Sequence, residues 1–265
     1  MPELVSRVAV AAVGLPVVLG VVWLGGWWVF GLVLVAALVA LHEFFSMTRS
    51  LRPLVLAGYA GALAALLGAR LGGVDWMVGG FLATLAFAFV LYMLASTRAP
   101  ATVAISSTVL GTAWIALGLG HVVLLRDLPT DGRLALLTLL LAVFAADIFA
   151  YFAGLLVGRH KLAPTVSPGK TWEGFLAGTL AAIFVTFVAL YEQGLLDGWR
   201  PLVLGGVIAL AAPVGDLFQS SLKRDMEVKD TGRLLAGHGG VLDRIDSLLF
   251  ASVAAFYVIL AFGAA

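Results

Sequence analysis

Pro201-Leu-Val-Leu-Gly-Gly-Val-Ile-Ala-Leu-Ala-Ala-Pro-Val214 is an unbroken apolar run that ends two residues before Asp216. From Asp216 to Asp246 the chain then packs eleven charged residues into thirty-one positions, before a second apolar run over Leu248–Ala265. They are Asp216, Lys223, Arg224, Asp225, Glu227, Lys229, Asp230, Arg233, Asp243, Arg244 and Asp246. The whole protein holds only 16 Lys and Arg and 15 Asp and Glu, so over a third of its charge lies in this stretch. Beside apolar spans, such charges must face water, one another, a metal or an anionic ligand. Long apolar runs interrupted by one polar cluster predict an all-α, polytopic membrane protein with its chemistry at that cluster.

Composition agrees. The chain is 62% hydrophobic and 12% charged, with a mean hydropathy of +1.08, against about 25% charged residues in soluble domains. Apolar runs of roughly twenty residues recur, and none alternates with period two, which argues against a strand barrel. There is no cysteine, which excludes a disulfide framework, thiolate zinc or an iron–sulfur cluster. The net charge of +1 and the lack of a basic tail speak against a nucleic-acid partner. About nine spans are predicted: Val8–Leu24, Trp27–Ser46, Leu54–Leu71, Trp76–Ala95, Val103–Leu125, Leu134–Val157, Thr171–Leu190, Pro201–Ser221 and Val241–Phe262. The first is read as a retained span, because it closes on Gly25-Gly26-Trp27-Trp28 and not on a small-residue cleavage site.

Basic residues set the orientation. With the N-terminus inside, twelve lie on the cytoplasmic side (among them Arg7, Arg49, Arg52, Arg98, Arg159, Lys161 and Lys170) and four outside: Arg70, Arg126, Arg133 and Arg200. This split predicts N-in, C-out, with both charge-rich loops facing the cytoplasm. Residues 1–130 then read as a lipid-facing scaffold and 131–265 as the part that carries the active site. Gly154/Gly158 and Gly174/Gly178, each four apart, suit close helix packing. No internal repeat is evident, which weighs against an inverted-repeat transporter.

Three groups of residues carry chemistry. Asp216, Gln219, Ser220 and Lys223 share one face of a helix, with Asp216 roughly 10 Å inside the span's end. A carboxylate at that depth is a functional candidate, the bland alternative being a salt bridge to Lys223 or to a neighbouring helix. His238-Gly239-Gly240-Val-Leu-Asp243-Arg244-Ile-Asp246 opens the last span. Its two aspartates, three apart, suit a divalent cation, although first-turn carboxylates also complement a helix dipole. With Asp216 they form a candidate metal set, and hard oxygen ligands point to Mg2+. The Gly239-Gly240 step would present N–H groups to phosphate at a helix start. The third group is Ser167-Pro-Gly-Lys170-Thr171-Trp-Glu-Gly174. It is not a P-loop, because Pro164 stands where the first glycine belongs, but Lys170 before a helix start can bind phosphate. Trp172 reads as an interfacial anchor. Asp147 lies inside span six, either lining the same cavity or making a structural hydrogen bond to a neighbouring helix; His42 and Glu43 receive no assigned chemistry, and His121 reads as incidental. The cavity so described would take a polyanion, and phosphoryl or nucleotidyl transfer onto a lipid leads.

These motifs resemble the signature of the phosphatidate cytidylyltransferases: Ser220-Ser-Leu-Lys-Arg224, Lys229-Asp230-Thr-Gly232 and His238-Gly-Gly-Val-Leu-Asp243-Arg-Ile-Asp246. Ala146-Asp147 through Tyr151 and Gly154, Gly158-Arg-His-Lys161, Ser167–Gly174 and, weakly, Glu43-Phe44 look like further family blocks, whereas Ala236 departs from the usual proline. The resemblance implies CTP and phosphatidic acid as substrates, CDP-diacylglycerol and pyrophosphate as products, Mg2+ dependence, and the cytoplasmic face of a bacterial inner membrane. It implies Asp216, Asp243 and Asp246 as metal ligands, with Lys223 and Lys229 catalytic. Ser167, Lys170, Thr171, Arg224, Asp230, His238, Gly239, Gly240, Arg244 and Asp147 would contact substrate, and which lysine meets CTP is left open. Membrane lipids would surround the acyl chains, and glycine-rich faces would permit a homodimer. A transporter or flippase using the same cavity, or the same chemistry on another lipid phosphate, are the competing readings.

Overall fold

The computed structural model describes residues 14–95, 100–232 and 239–263. In chain order the helices are α1 (Gly14–Leu24), α2 (Gly26–Met47), α3 (Val55–Leu94), α4 (Ala101–Thr112), α5 (Gly118–Arg126), α6 (Gly132–Val157), α7 (Trp172–Leu190), α8 (Arg200–Asp225) and α9 (Leu242–Ala261). A π-helical turn, Ala113–Leu117, joins α4 to α5 in one rod. Among the described residues seven helical segments are long and apolar enough to cross a bilayer. Helix is the form that satisfies every backbone group within one segment there. The protein is therefore an all-α polytopic membrane protein in its main architecture, and most helix ends fall within a few residues of the predicted spans.

Two predicted spans, Leu54–Leu71 and Trp76–Ala95, appear as the single long segment α3. Gly73 interrupts it at φ 72°, ψ −154°, a backbone conformation essentially reserved for glycine. A side chain on Gly68 would strike the Trp76 carbonyl, and one on Gly80 would lie 2.5 Å from the Ala64 backbone. The two arms of α3 therefore fold back on each other as a hairpin. The first residues of the predicted Val8–Leu24 span lie outside the described residues, as do Arg7, Arg98, Arg233, Ala236 and His238.

One feature corrects the purely helical expectation. The Ser167–Thr171 segment, read as a loop, is a strand: β1 (Lys161–Ala163) pairs antiparallel with β2 (Ser167–Thr171), Lys161 opposite Thr171 and Ala163 opposite Ser167. The segment is polar and lies between two apolar spans, so its backbone groups find partners across a tight turn where no helix supplies them.

The chain divides into two compact units. The first comprises Met1–Asp127 with Met226–Ile245, and the second Leu128–Asp225 with Asp246–Ala265. In the first, Leu41, Phe44, Leu66, Met77, Ile115 and Leu125 are fully buried, and Phe44 meets Trp114 edge to face at 6.2 Å. Two arginines counted as loop charges have structural partners here. Arg126 Nε donates to the Val22 carbonyl at the end of α1 (2.8 Å), and Arg70 pairs with Asp127 (3.2 Å) while lying over the Trp27 ring. In the second unit α6 and α7 are in close contact because Gly174 and Gly178 lie against the α6 backbone. A Cβ on either would stand 2.6 Å from the carbonyl oxygen of Ala150 or Ala146. On α8, Gly215 touches the Asp246 carbonyl and Phe218 packs on Phe250 of α9 at 5.5 Å.

The glycine contact makes a direct test. Gly178→Leu should lower thermal stability in detergent by roughly 1–3 kcal/mol or more, as overpacking does. Gly206→Leu, on α8 with nothing within 4 Å, should leave it nearly unchanged.

Candidate active site

In the second unit the β-hairpin brings Lys170 to α8. Its Nζ lies 2.7 Å from Asp216 Oδ2 and donates to the Pro213 carbonyl at 3.4 Å. The other oxygen, Oδ1, accepts from Ser220 Oγ at 3.3 Å, one helical turn on, as the shared face predicted. A salt bridge to Lys223 or to a neighbouring helix was the bland alternative for Asp216; the structure gives it a salt bridge to Lys170, from the third group of residues. Asp147 on α6 and Asp246 on α9 both lie close enough to Asp216 for their charges to repel, with Lys170 and Lys223 as the attracting cations. Asp246 is buried, and its Oδ1 accepts from the Ser247 amide at 2.7 Å. Three carboxylates and two lysines are thus gathered from four elements of one unit.

The hairpin itself is anchored at both ends. Glu173 accepts from the His160 amide (3.2 Å) and lies 2.6 Å from His160 Nδ1, while Arg224 Nε donates to the Val166 carbonyl at 3.3 Å. Thr171 is buried and caps α7, its hydroxyl accepting from the Gly174 amide at 3.1 Å. Ser167 sits at the start of β2, paired with Ala163. Trp172 is half-exposed and edge-on to Phe175.

In the first unit the turn into α9 is built on two carboxylates. Asp243 Oδ2 accepts from the amides of Thr231 (3.0 Å) and Gly240 (2.9 Å). Glu43, buried near the end of α2, accepts from Val241 (2.9 Å) and Leu242 (2.8 Å). The Gly240 amide, expected with the Gly239-Gly240 step to meet a phosphate, is thus bound by a protein carboxylate, as are those of Val241 and Leu242. Gly239 adopts a left-handed φ of 77° beside Asp243. Lys229, Asp230 and Arg244 are exposed. Glu43 is the residue that sequence reasoning missed. Its signals were an acid near the end of an apolar run and the weak Glu43-Phe44 block, and nothing local linked it to residues some two hundred positions on. His121 is buried, with Nδ1 against the Leu117 carbonyl at 2.7 Å, in keeping with a structural part.

Among the described residues, no group of three or more His, Asp or Glu side chains is gathered closely enough to hold a metal ion alone. The donor chemistry still fits a small hard cation, since magnesium commonly takes one or two carboxylates and completes its shell with water and substrate phosphate. Asp216 and Asp246, whose charges act on each other, are such a pair.

Carboxylates set beside lysines on the polar segments of a multi-span helical protein suit a charged ligand. Comparison with known proteins narrows that reading. The chain belongs to the Cytidylyltransferase family, whose model matches residues 5–262. It is 32% identical over 262 residues to the phosphatidate cytidylyltransferase of Mycobacterium bovis, covering 94% of this chain and 85% of that one. The corresponding protein of Staphylococcus haemolyticus is 32% identical over 249 residues, covering 92% and 94%. That of Haemophilus influenzae reaches 45% over 126 residues, 45% of this chain and 43% of the relative.

The capping role of Thr171 is testable apart from activity. Thr171→Ala should cost about 1 kcal/mol in thermal unfolding and Thr171→Ser much less, because serine keeps the accepting oxygen.

Proposed function

We propose that this chain is a phosphatidate cytidylyltransferase, transferring CMP from CTP to phosphatidic acid to give CDP-diacylglycerol and pyrophosphate. The observation that carries this reading is the family match along nearly the whole chain, with relatives of that name covered almost end to end. The protein works as a multi-pass component of a bacterial inner membrane. It has nine spans, an N-terminus inside and its active site on the cytoplasmic face, where CTP is available. The split of basic residues supports that orientation. Residues 1–130 serve as scaffold and 131–265 carry the site.

In the reaction an oxygen of the phosphatidate phosphate attacks the α-phosphorus of CTP in line, the bond to the β-phosphate oxygen breaks, and pyrophosphate leaves with the electron pair. The attacking oxygen is already anionic at neutral pH, so no strong general base is needed. The work left to the protein is positioning and charge stabilisation. Lys170, Lys223, Arg224 and Lys229 supply positive charge to the triphosphate and the lipid phosphate, with Ser167, Asp230, His238 and Arg244 completing the contacts. Asp216, Asp243 and Asp246 are the residues that would hold Mg2+, with substrate phosphate and water completing its shell. The amide bonds on Asp243 Oδ2 are compatible with this, because an ionised carboxylate offers about four acceptor positions. A divalent ion, when bound, neutralises charge on the departing pyrophosphate. The Lys170–Asp216 pair fixes the hairpin lysine against the metal-binding helix, so both motifs address one substrate.

Purified protein given α-labelled CTP, phosphatidate and magnesium should place the label in lipid and release pyrophosphate. Asp243→Ala and Lys170→Ala should each lower that rate by about 100-fold or more, the scale seen when one preorganised charge is removed. Near-normal turnover of Asp243→Ala would exclude it as a metal ligand. Substrate movement across liposomes without any change in CTP would favour a transporter, and preference for a polyprenyl phosphate would change the acceptor.

A further inference from the structure

The start of α9 is held from outside its own sequence. The first N–H groups of a helix have no intrahelical acceptor and carry the positive end of its dipole. Most helices satisfy them with a Ser, Thr, Asp or Asn at the cap. Here Gly240 and Val241 precede the helix and offer no such side chain. The acceptor is Glu43, whose two oxygens take the amides of Val241 (2.9 Å) and Leu242 (2.8 Å) across 198 and 199 positions of sequence. Glu43 is only 5% exposed, so its carboxylate oxygens rely on these bonds for partners. Two glycines make room for it: a Cβ on Gly232 would lie 2.5 Å from Oε1, and one on Gly240 would collide with Oε2. Asp243, on the first turn so fixed, accepts from the amides of Thr231 and Gly240 in the preceding loop.

We propose that Glu43 is a positioning residue for nucleotide transfer. It touches no substrate. Acting as a built-in anion, it clamps the first turn of α9 and so fixes the direction in which Asp243 is presented to the nucleotide and its metal. Because Glu43 already fills the amides at this helix start, the CTP phosphates are bound by cationic side chains instead. This rests on the cytidylyltransferase reading and deepens it.

Wild type, Glu43→Gln and Glu43→Asp are compared in detergent. Glutamine keeps one acceptor but turns an NH2 toward the second amide, and aspartate keeps the charge but falls short. Hydrogen exchange of the Gly239–Asp243 segment should quicken at least tenfold in both variants, with the other helices unchanged. The KM for CTP and the magnesium concentration for half-maximal rate should each rise at least tenfold, while the KM for phosphatidate stays within twofold. Unchanged exchange overturns the proposal, and so does a fall in rate that leaves both nucleotide-side constants as in wild type, since lost folding alone produces that pattern. If neither variant folds, Gly232→Ala presses on the same carboxylate from the loop. It must then give the same CTP-selective rise, and a normal KM for CTP overturns the idea. A wild type that turns over no CTP defeats the functional reading, while the exchange measurement still decides whether Glu43 holds the turn.

Discussion

An ionised group placed in or beside an apolar span is stable only when something answers its charge, and the polar features of this molecule follow from that constraint. Asp216 is answered by Lys170, Arg70 by Asp127, Arg126 by the free carbonyls at the end of α1, and Glu43 by two backbone amides. In each case the partner comes from a distant part of the sequence. The charges therefore work as long-range fasteners as well as candidate chemistry, and a chain with few of them spends several on fixing its turns.

The second unit shows how packing sets up this chemistry. Gly174 and Gly178 let α7 lie directly on the α6 backbone, and Gly215 does the same for α8 against the Asp246 carbonyl. With so little side chain between them, Asp147, Asp216 and Asp246 come within reach of each other's charge, and the short hairpin before α7 delivers Lys170 to the same place. Like charges held together this way repel, and a lysine offsets only part of it. A cation is the kind of ligand that would relieve such repulsion.

The signature turn in the first unit answers a different requirement. Backbone amides at a helix start seek an anion, and in many proteins that anion is the substrate. Here Glu43 and Asp243 occupy the role, so rigidity is built in before any ligand arrives. Gly232 and Gly240 are explained by that approach, not by turn flexibility alone.

Much was legible in the sequence because hydrophobic transfer is local and additive. Runs of about twenty apolar residues marked the helices, the gap between the Leu54–Leu71 and Trp76–Ala95 spans marked the break inside α3, and the spaced motifs from Ser220 to Asp246 marked the family. The i, i+4 pairing of Asp216 with Ser220 was readable for the same reason, since helix geometry alone fixes it. What escaped depends on contacts between segments far apart in the chain. No local pattern says that Lys170 pairs with Asp216, that Ser167–Thr171 pairs as a strand, or that Glu43 reaches the turn at Val241. Sequence alone determined which stretches enter the bilayer and which residues were available for chemistry. Only the tertiary structure decided which charge meets which partner, because a salt bridge or a cap is set by distance in space, and helix packing brings those distances about.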